Sequence, residues 1–476
     1  MKTAHRSVAR KQAGQVQPRL PRREFVRKIL RSVALSTFVC PSGLSHAAGP
    51  APQLEAGEGV VDITPPLGTV LGGFHYPPER PRKTTGIRQP SNARALVLAL
   101  RGTEAAIVSL DMLNVSFEVV GRVQRRVEKE TGILASQVRV CASHSHTMPS
   151  TAYNRQWGEV SPEYVAQVEA AVAQAVRLAK EDLAPGQLYV GQSRAEEANF
   201  NRTVATWKTD QEFTSAATDE DRWLDSLVQV LHFERLGGRR NLLWYHFSAH
   251  PTCFSDGHAG PDWPGVVGRI LQSEEQAQPS FLQGHIGDVS SASAEQTGRK
   301  VSAAIERAIA TAKRTEVLEL RVRTRAVQLP FDMDRFRASL DQYGKDPAAC
   351  RGGEWVDAAF AKDWFEQFAS KWDMKKTSLP ITLAAMQIGG TALLFHPAEL
   401  YSYYGLAIRH RSSFPQTMVV GYADGYVGYV ADPKAYLRGE YAAVVVPKIL
   451  NYPPFTPGAG GVLAQEAGLL LQELKG

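Results

Sequence analysis

Arg94-Ala-Leu-Val-Leu-Ala-Leu100, Arg101-Gly-Thr-Glu104 and Ala105-Ala-Ile-Val-Ser-Leu-Asp111 read as two apolar strands joined by a polar turn. Their unbroken apolar character marks strands covered on both faces. The pattern then changes period: a helix is predicted over 117–130, stopping at Gly132, and Gln137-Val-Arg-Val-Cys-Ala142 is the next strand. Outward from this unit, helices are predicted over 162–183, 264–276, 296–313, 397–411 and 462–474. Strands are expected at 227–233, 242–247, 317–329, 379–388, 392–395 and 418–422. Gly237-Gly238 forms the turn between the first two of these strands, and Phe281-Leu282 starts another strand. Strands and helices mix without a 20–50 residue repeat, which predicts an α/β fold of layered mixed β-sheets flanked by helices. No low-complexity linker divides residues 49–476, so they read as a single domain.

Composition agrees with a folded chain. The 476 residues are 43% hydrophobic and 9% aromatic, enough for a sizeable core. The net charge of +6 misleads, because residues 1–48 hold ten Lys/Arg against Glu24 alone. The remainder carries 44 basic and 47 acidic residues. Nucleic-acid binding needs basic charge on the folded domain, and no nucleic-acid partner is expected. Pro21-Arg22-Arg23-Glu24-Phe25-Val26-Arg27-Lys28, a short apolar run over 29–38 and Ser45-His46-Ala47 resemble a twin-arginine export signal over residues 1–48. That address predicts a mature protein in the bacterial periplasm or secreted. Cys40 leaves with such a leader. Cys141, Cys253 and Cys350 then allow one disulfide and a free thiol, or three buried thiols, and none has CxxC spacing.

Polar clusters follow the apolar strands, where α/β sites usually lie. Ser143-His144-Ser145-His146-Thr147 comes directly after 138–142, and in extended chain residues two apart share a side. His144 and His146 can thus serve one metal site, or be two loop histidines. Ala249-His250-Pro251-Thr252 follows another strand. Gly284-His285-Ile-Gly287-Asp288-Val-Ser290 is a glycine turn in which Gly287 suits close backbone approach or positive φ, and Ser290 is a nucleophile only beside a base. His396-Pro-Ala-Glu399 puts an acid in the first turn of the predicted 397–411 helix. Tyr426, Tyr429, Tyr436 and Tyr441 form a tyrosine-rich run that by itself reads as packing. Asp111 suits either a partner of a ligating histidine or backbone donors, and Asp262-Trp-Pro-Gly a pocket wall or a helix-leading turn.

Taken in order, Asp62-Ile-Thr-Pro, SHSHT, Asn201-Arg202, AHPT, GDVS, PAE and Gly428-Tyr-Val, with Tyr441 twelve residues beyond Tyr429, resemble the N-terminal catalytic domain of neutral/alkaline ceramidases. That resemblance implies a zinc amidohydrolase cleaving the N-acyl amide of ceramide or a related lipid. It implies one zinc per chain on His144, His250, Glu399 and Tyr429. It makes His146 the second histidine beside the metal, Arg202 the active-site arginine, Ser290 the residue assigned as nucleophile and Tyr441 the second active-site tyrosine. A structural calcium or magnesium ion is compatible with the family, with no ligands assigned to it here. Zinc would supply Lewis acidity and a water of pKa ~7, His146 would move protons, and Arg202 and Tyr441 would stabilise the oxyanion.

This chain departs from the family pattern at three places. GDVSPN becomes GDVSSA, with Ser291 and Ala292; Met148 replaces a glycine after SHSHT; Tyr441 is followed by Ala442-Ala443 instead of Glu-Gly. The expected architecture is the catalytic domain without the family's C-terminal immunoglobulin-like domain. Three other readings compete: a zinc hydrolase of another amide or ester, an amidohydrolase-type β/α barrel with two metals, and a non-catalytic exported protein on the same scaffold. Partners are a small-molecule or lipid amide and, transiently, a membrane surface; the sequence leaves the oligomeric state open.

Overall fold

The apolar runs of 94–111 pair with each other. In the computed structural model, which describes residues 53–76, 79–272, 278–347 and 358–476, Asn92–Leu100 and Thr103–Leu110 form an antiparallel hairpin setting Leu96 against Ile107. Arg101 and Gly102 both have positive φ (51° and 80°), the turn geometry whose twist matches that of the strands it joins. Helix Phe117–Thr131 is capped by Ser116, which accepts from Val119 N at 3.3 Å, and ends at Gly132 with φ 79°. It crosses over to Val138–Ala142, which pairs in parallel with Thr103–Leu110.

These elements belong to one mixed sheet of nine strands. Its order is Pro279–Gln283, Leu242–Phe247, Leu227–Arg235, Ala184–Arg194, Glu55–Asp62, Asn92–Leu100, Thr103–Leu110 and Val138–Ala142, with Lys313–Thr315 also pairing Ala184–Arg194. The middle is antiparallel and each end is parallel, the second parallel pair being linked through helix Trp263–Gln272. Eight parallel strand–helix units are therefore not the architecture, and the barrel reading falls. Ser109 Oγ donates to Phe281 O at 2.5 Å and Gln283 Nε2 donates to Ser143 O at 2.9 Å. The sheet thus coils until the segments after its two ends meet.

A second sheet of four strands, Leu320–Pro330, Ser378–Ile388, Thr391–Phe395 and Gln416–Val420, lies against the first. Its alternation splits the core: Ala384, Met386, Leu393, Phe395, Met418 and Val420 join Leu96, Leu98, Ile107, Phe233 and Trp244 between the sheets. Leu383, Ala385, Ala392, Leu394 and Val419 face outward and belong to the cluster that includes the terminal helix Ala459–Lys475. Val230, Tyr245 and Phe247 pack with helices Trp263–Gln272 and Ala294–Ala310 on the other side of the large sheet. Helix, sheet, sheet, helix is the layered α/β fold the sequence predicts. No helix among the described residues is long and apolar enough to cross a membrane.

Two central strands escape the sequence reading, Glu55–Asp62 and Ala184–Arg194. The first, EAGEGVVD, looks too glycine-rich for a strand interior. Its glycines answer a packing demand instead: a Cβ on Gly57 would lie 2.0 Å from Ala179 O, and one on Gly59 2.0 Å from Ala175 O, on helix Pro162–Glu181. Gly59→Ala is expected to destabilise by ~1–3 kcal/mol through forced separation of helix and strand. It would be read as a lower urea midpoint at unchanged slope, and an unchanged midpoint would refute this packing account.

One predicted boundary needs correction. The helix expected at 397–411 begins only at Ser402, and Glu399–Leu400 is a short strand pairing in parallel with Tyr429–Val430. The helix expected to 276 is described to Gln272; the rest of that range lies outside the described residues. So do the predicted export signal over 1–48 and Cys350. Cys141 is buried, Cys253 is half-buried, and both are free thiols.

Candidate metal centre

The chain leaving Val138–Ala142 does not stay extended. His144 adopts φ 64°, a left-handed conformation costly for a residue with a Cβ, ~1–3 kcal/mol. Ser143 N→Leu110 O (2.8 Å), Ser145 N→Met112 O (3.2 Å) and His146 N→Pro251 O (3.0 Å) hold it there. The two imidazoles converge through this twist rather than through strand alternation, with Nε2 atoms 3.1 Å apart.

His250 enters from the opposite end of the sheet, after Leu242–Phe247. His144 Nδ1 lies 2.7 Å from Leu113 O and His250 Nδ1 lies 2.8 Å from Val289 O. A carbonyl only accepts, so each Nδ1 carries the proton and each Nε2 turns a lone pair inward. Burial lowers the His144 pKa to about 3 and that of His250 well below its usual value, which keeps both rings neutral. His250 Nε2 is buried and has no hydrogen-bond partner among the described residues. The ligand nitrogens of His144, His146 and His250 all lie within 4.8 Å of one another, so this buried trio can hold a metal ion.

Glu399 closes the group. Its carboxyl is fully buried, with Oε2 3.5 Å from His144 Nε2 and 3.3 Å from His250 Nε2. Tyr422 donates to Oε2 at 3.1 Å and Tyr426 donates to Oε1. The parallel register sets Glu399 opposite Tyr429, whose Oη accepts from Arg202 Nη2 at 2.7 Å. Burial raises the Tyr429 pKa, opposed by the Arg202 charge. All four expected ligands, His144, His250, Glu399 and Tyr429, thus meet in one buried cluster. The histidine expected to stand beside the metal, His146, belongs to the metal-capable trio itself.

Asp288 ties the GDVS turn into its surroundings. Asp288 Oδ1 accepts from Ser402 N and Oγ (2.8 and 2.7 Å), and Oδ2 from Asn201 Nδ2 (2.8 Å). Gly287 answers close approach rather than positive φ: a Cβ would lie 2.6 Å from Glu399 O. Arg202 N donates to Asp288 O and its guanidinium to Gly287 O, both at 2.8 Å. Ser290 is half-buried in Val289–Ser291, opposite Phe200 and bridged to His250 through the backbone. Its hydroxyl bonds to no base among the described residues. Asp111 satisfies a backbone donor, Asn92 N at 2.8 Å, and burial raises its pKa to about 6. Asp262 accepts from Cys253 N and Trp263 N, the helix-leading turn of the two readings offered.

Tyr441 opens the short helix Tyr441–Val444, its ring centroid 6.2 Å from that of Tyr429. His75 Nε2 lies 2.8 Å from its hydroxyl, and Trp157 Nε1 donates to that oxygen at 3.2 Å. Neither His75 nor Trp157 stands in a motif, so no local signal marks them. Tyr422 and Tyr426 had one, since both lie within seven residues before the expected ligand Tyr429. Tyr426, read with its run as packing, and Tyr422, outside that run, are the two donors to the Glu399 carboxyl.

A family model described as neutral/alkaline non-lysosomal ceramidase, N-terminal, matches residues 54–321. Among solved structures, neutral ceramidase from Pseudomonas aeruginosa superposes with a TM-score of 0.68 at 20% identity, covering 89% of this chain and 75% of that one. A ceramidase complexed with C2 gives 0.67 at 20% identity, with 89% and 76% coverage. No curated protein matches this sequence. The family segment contains His144, His146, Arg202, His250 and Ser290, whereas Glu399, Tyr429 and Tyr441 lie beyond it.

Proposed function

Because this chain belongs to the neutral/alkaline non-lysosomal ceramidase family, we propose that it is a zinc amidohydrolase cleaving the N-acyl amide of ceramide or a related lipid. The carrying observation is the pair of imidazoles locked by Leu113 O and Val289 O, with both Nε2 atoms aimed at one buried carboxylate oxygen of Glu399. Neutral imidazole and carboxylate are donors that suit zinc, and a phenolate at Tyr429 would be an unusual fourth donor. His144, His250 and Glu399 would hold the ion, with Tyr429 as the fourth, exchangeable ligand. When bound, zinc supplies Lewis acidity toward the amide carbonyl and lowers the pKa of water toward ~7.

The remaining steps belong to the protein. His146 takes the proton of the attacking water and returns it to the leaving amine nitrogen. Arg202 and Tyr441 donate to the developing oxyanion, each worth ~3 kcal/mol. Ser290, without a hydrogen-bonded base, anchors a substrate hydroxyl in this reading. Ser291 Oγ, 3.1 Å from Cys253 Sγ, belongs to a turn that departs from the family pattern. This favours, as a second reading, another amide or ester as the substrate. Residues 1–48 are proposed as a twin-arginine export signal, which would put the reaction in the periplasm or outside the cell.

The test is metal analysis of purified protein together with hydrolysis of N-acylsphingosines and of matched esters. About one zinc per chain, with amide turnover abolished by chelation and restored by zinc, is expected. A well-folded protein that takes up no zinc on loading would overturn the proposal. Zinc with ester turnover alone would favour the second reading.

A further inference from the structure

Residues 71–76 cross over His146. A Cβ on Gly73, at φ 91°, would lie 2.6 Å from the His146 ring, and Phe74 meets that ring edge-on at 5.1 Å. The Arg82 guanidinium donates to Gly72 O and to His146 O, tying both ends of the contact together. Anchored this way, the segment brings His75 to Tyr441, with Nε2 2.8 Å from the phenol oxygen. Trp157 Nε1 donates to that oxygen at 3.2 Å and, over the longer distance of 3.4 Å, to His75 Nε2 when that nitrogen is bare. His75 and Tyr441 are half-buried and Trp157 is buried.

Hydrogen-bond arithmetic limits what this trio can do. A tyrosine hydroxyl has one proton and two lone pairs, and an indole N–H only donates. With Trp157 on one lone pair, His75 has two options. A protonated Nε2 fills the second lone pair, and the phenol proton turns away from both rings. A bare Nε2 accepts the phenol proton and withholds it. Burial lowers the His75 pKa to about 4, so the ring is neutral at neutral pH and both tautomers are accessible.

We propose that His75 is the positioning residue for Tyr441, its tautomer deciding whether the phenol donates into the three-histidine centre or is held back. The inference rests on the reading of Tyr441 as an oxyanion donor, and none of the family motifs includes residue 75.

The test uses zinc-loaded full-length protein with a short-chain N-acylsphingosine. His75→Ala is expected to lower kcat ~10-fold, less than deletion of the donor itself because the Tyr441 hydroxyl remains but loses its orientation, with KM changed less than ~2-fold. His75→Gln, whose amide N–H can donate to the phenol oxygen, should recover most of the loss. Tyr441→Phe should absorb the effect, so that adding His75→Ala costs nothing further; additive losses would overturn the proposal. A second readout needs no turnover: the imidazole ¹⁵N resonance of His75 Nε2 should move on Tyr441→Phe, and a resonance that stays put also overturns it. If loaded wild type hydrolyses no amide, the hydrolase reading falls, while the resonance still decides the His75–Tyr441 pairing.

Discussion

His144→Ala and His250→Ala are each expected to abolish metal retention and to slow amide turnover by ~10³-fold or more, because several kcal/mol of charge stabilisation goes with the ion. Each ring contributes one inward lone pair whose direction is set by its other nitrogen, through Leu113 O for His144 and Val289 O for His250. Deleting either ring also strands that buried carbonyl, at ~1–3 kcal/mol. Unfolding midpoints should therefore accompany metal analysis, and His→Gln versions keep a polar group at the site. Full zinc occupancy in both alanine variants would show that these imidazoles are not ligands. Tyr441→Phe is the informative contrast: zinc retained, turnover reduced ~10²–10³-fold.

The largest stability effect is expected away from the metal-capable trio. Asp225 is fully buried, bound by Arg409 at 2.6 and 3.0 Å and by His285 Nε2 at 3.1 Å. It ties the start of Leu227–Arg235 to helix Ser402–Arg411 and to the segment that leads into GDVS. Asp225→Ala leaves Arg409 without its carboxylate in a mostly buried setting, a change costing ~3–5 kcal/mol out of a typical 5–15. Burial alone would raise the Asp225 pKa, but Arg409 and His285 hold it well below the usual carboxylate range. A depressed folded pKa stabilises fully above the unfolded value of ~4 and is lost as pH falls through the folded value. The contribution of the Asp225 carboxylate to the stability gap between wild type and Asp225→Asn should thus be complete above pH ~5 and shrink as the pH falls from there toward ~1. A gap that stays unchanged as the pH is taken from about 5 to about 2 would contradict this assignment.

Legibility followed the range of the determining interactions. The hairpin of 94–111, helix Phe117–Thr131 with its Ser116 and Gly132 ends, and the long late strands were readable because apolar period and caps are local. Glu55–Asp62 was not, because the reason for its glycines is a helix more than 110 residues further along the chain. The position of Glu399 on a strand instead of a helix depends on Tyr429 as pairing partner, again a distant segment. His146 shows the same limit in chemistry. The spacing of SHSHT paired it with His144, but extended alternation was the wrong cause, since a left-handed His144 turns the rings together.

By itself the sequence determined the layered α/β class, the near balance of 44 basic and 47 acidic residues beyond residue 48, and the short motifs that carry the metal-type side chains. Those properties depend on residue type and near spacing, which chain order preserves. Only the tertiary structure decided that the two ends of one sheet coil together, that Tyr422 and Tyr426 orient Glu399, and that His75 reaches Tyr441. Each of these is a contact between segments tens to hundreds of residues apart, and no local pattern encodes which distant backbone will supply the partner.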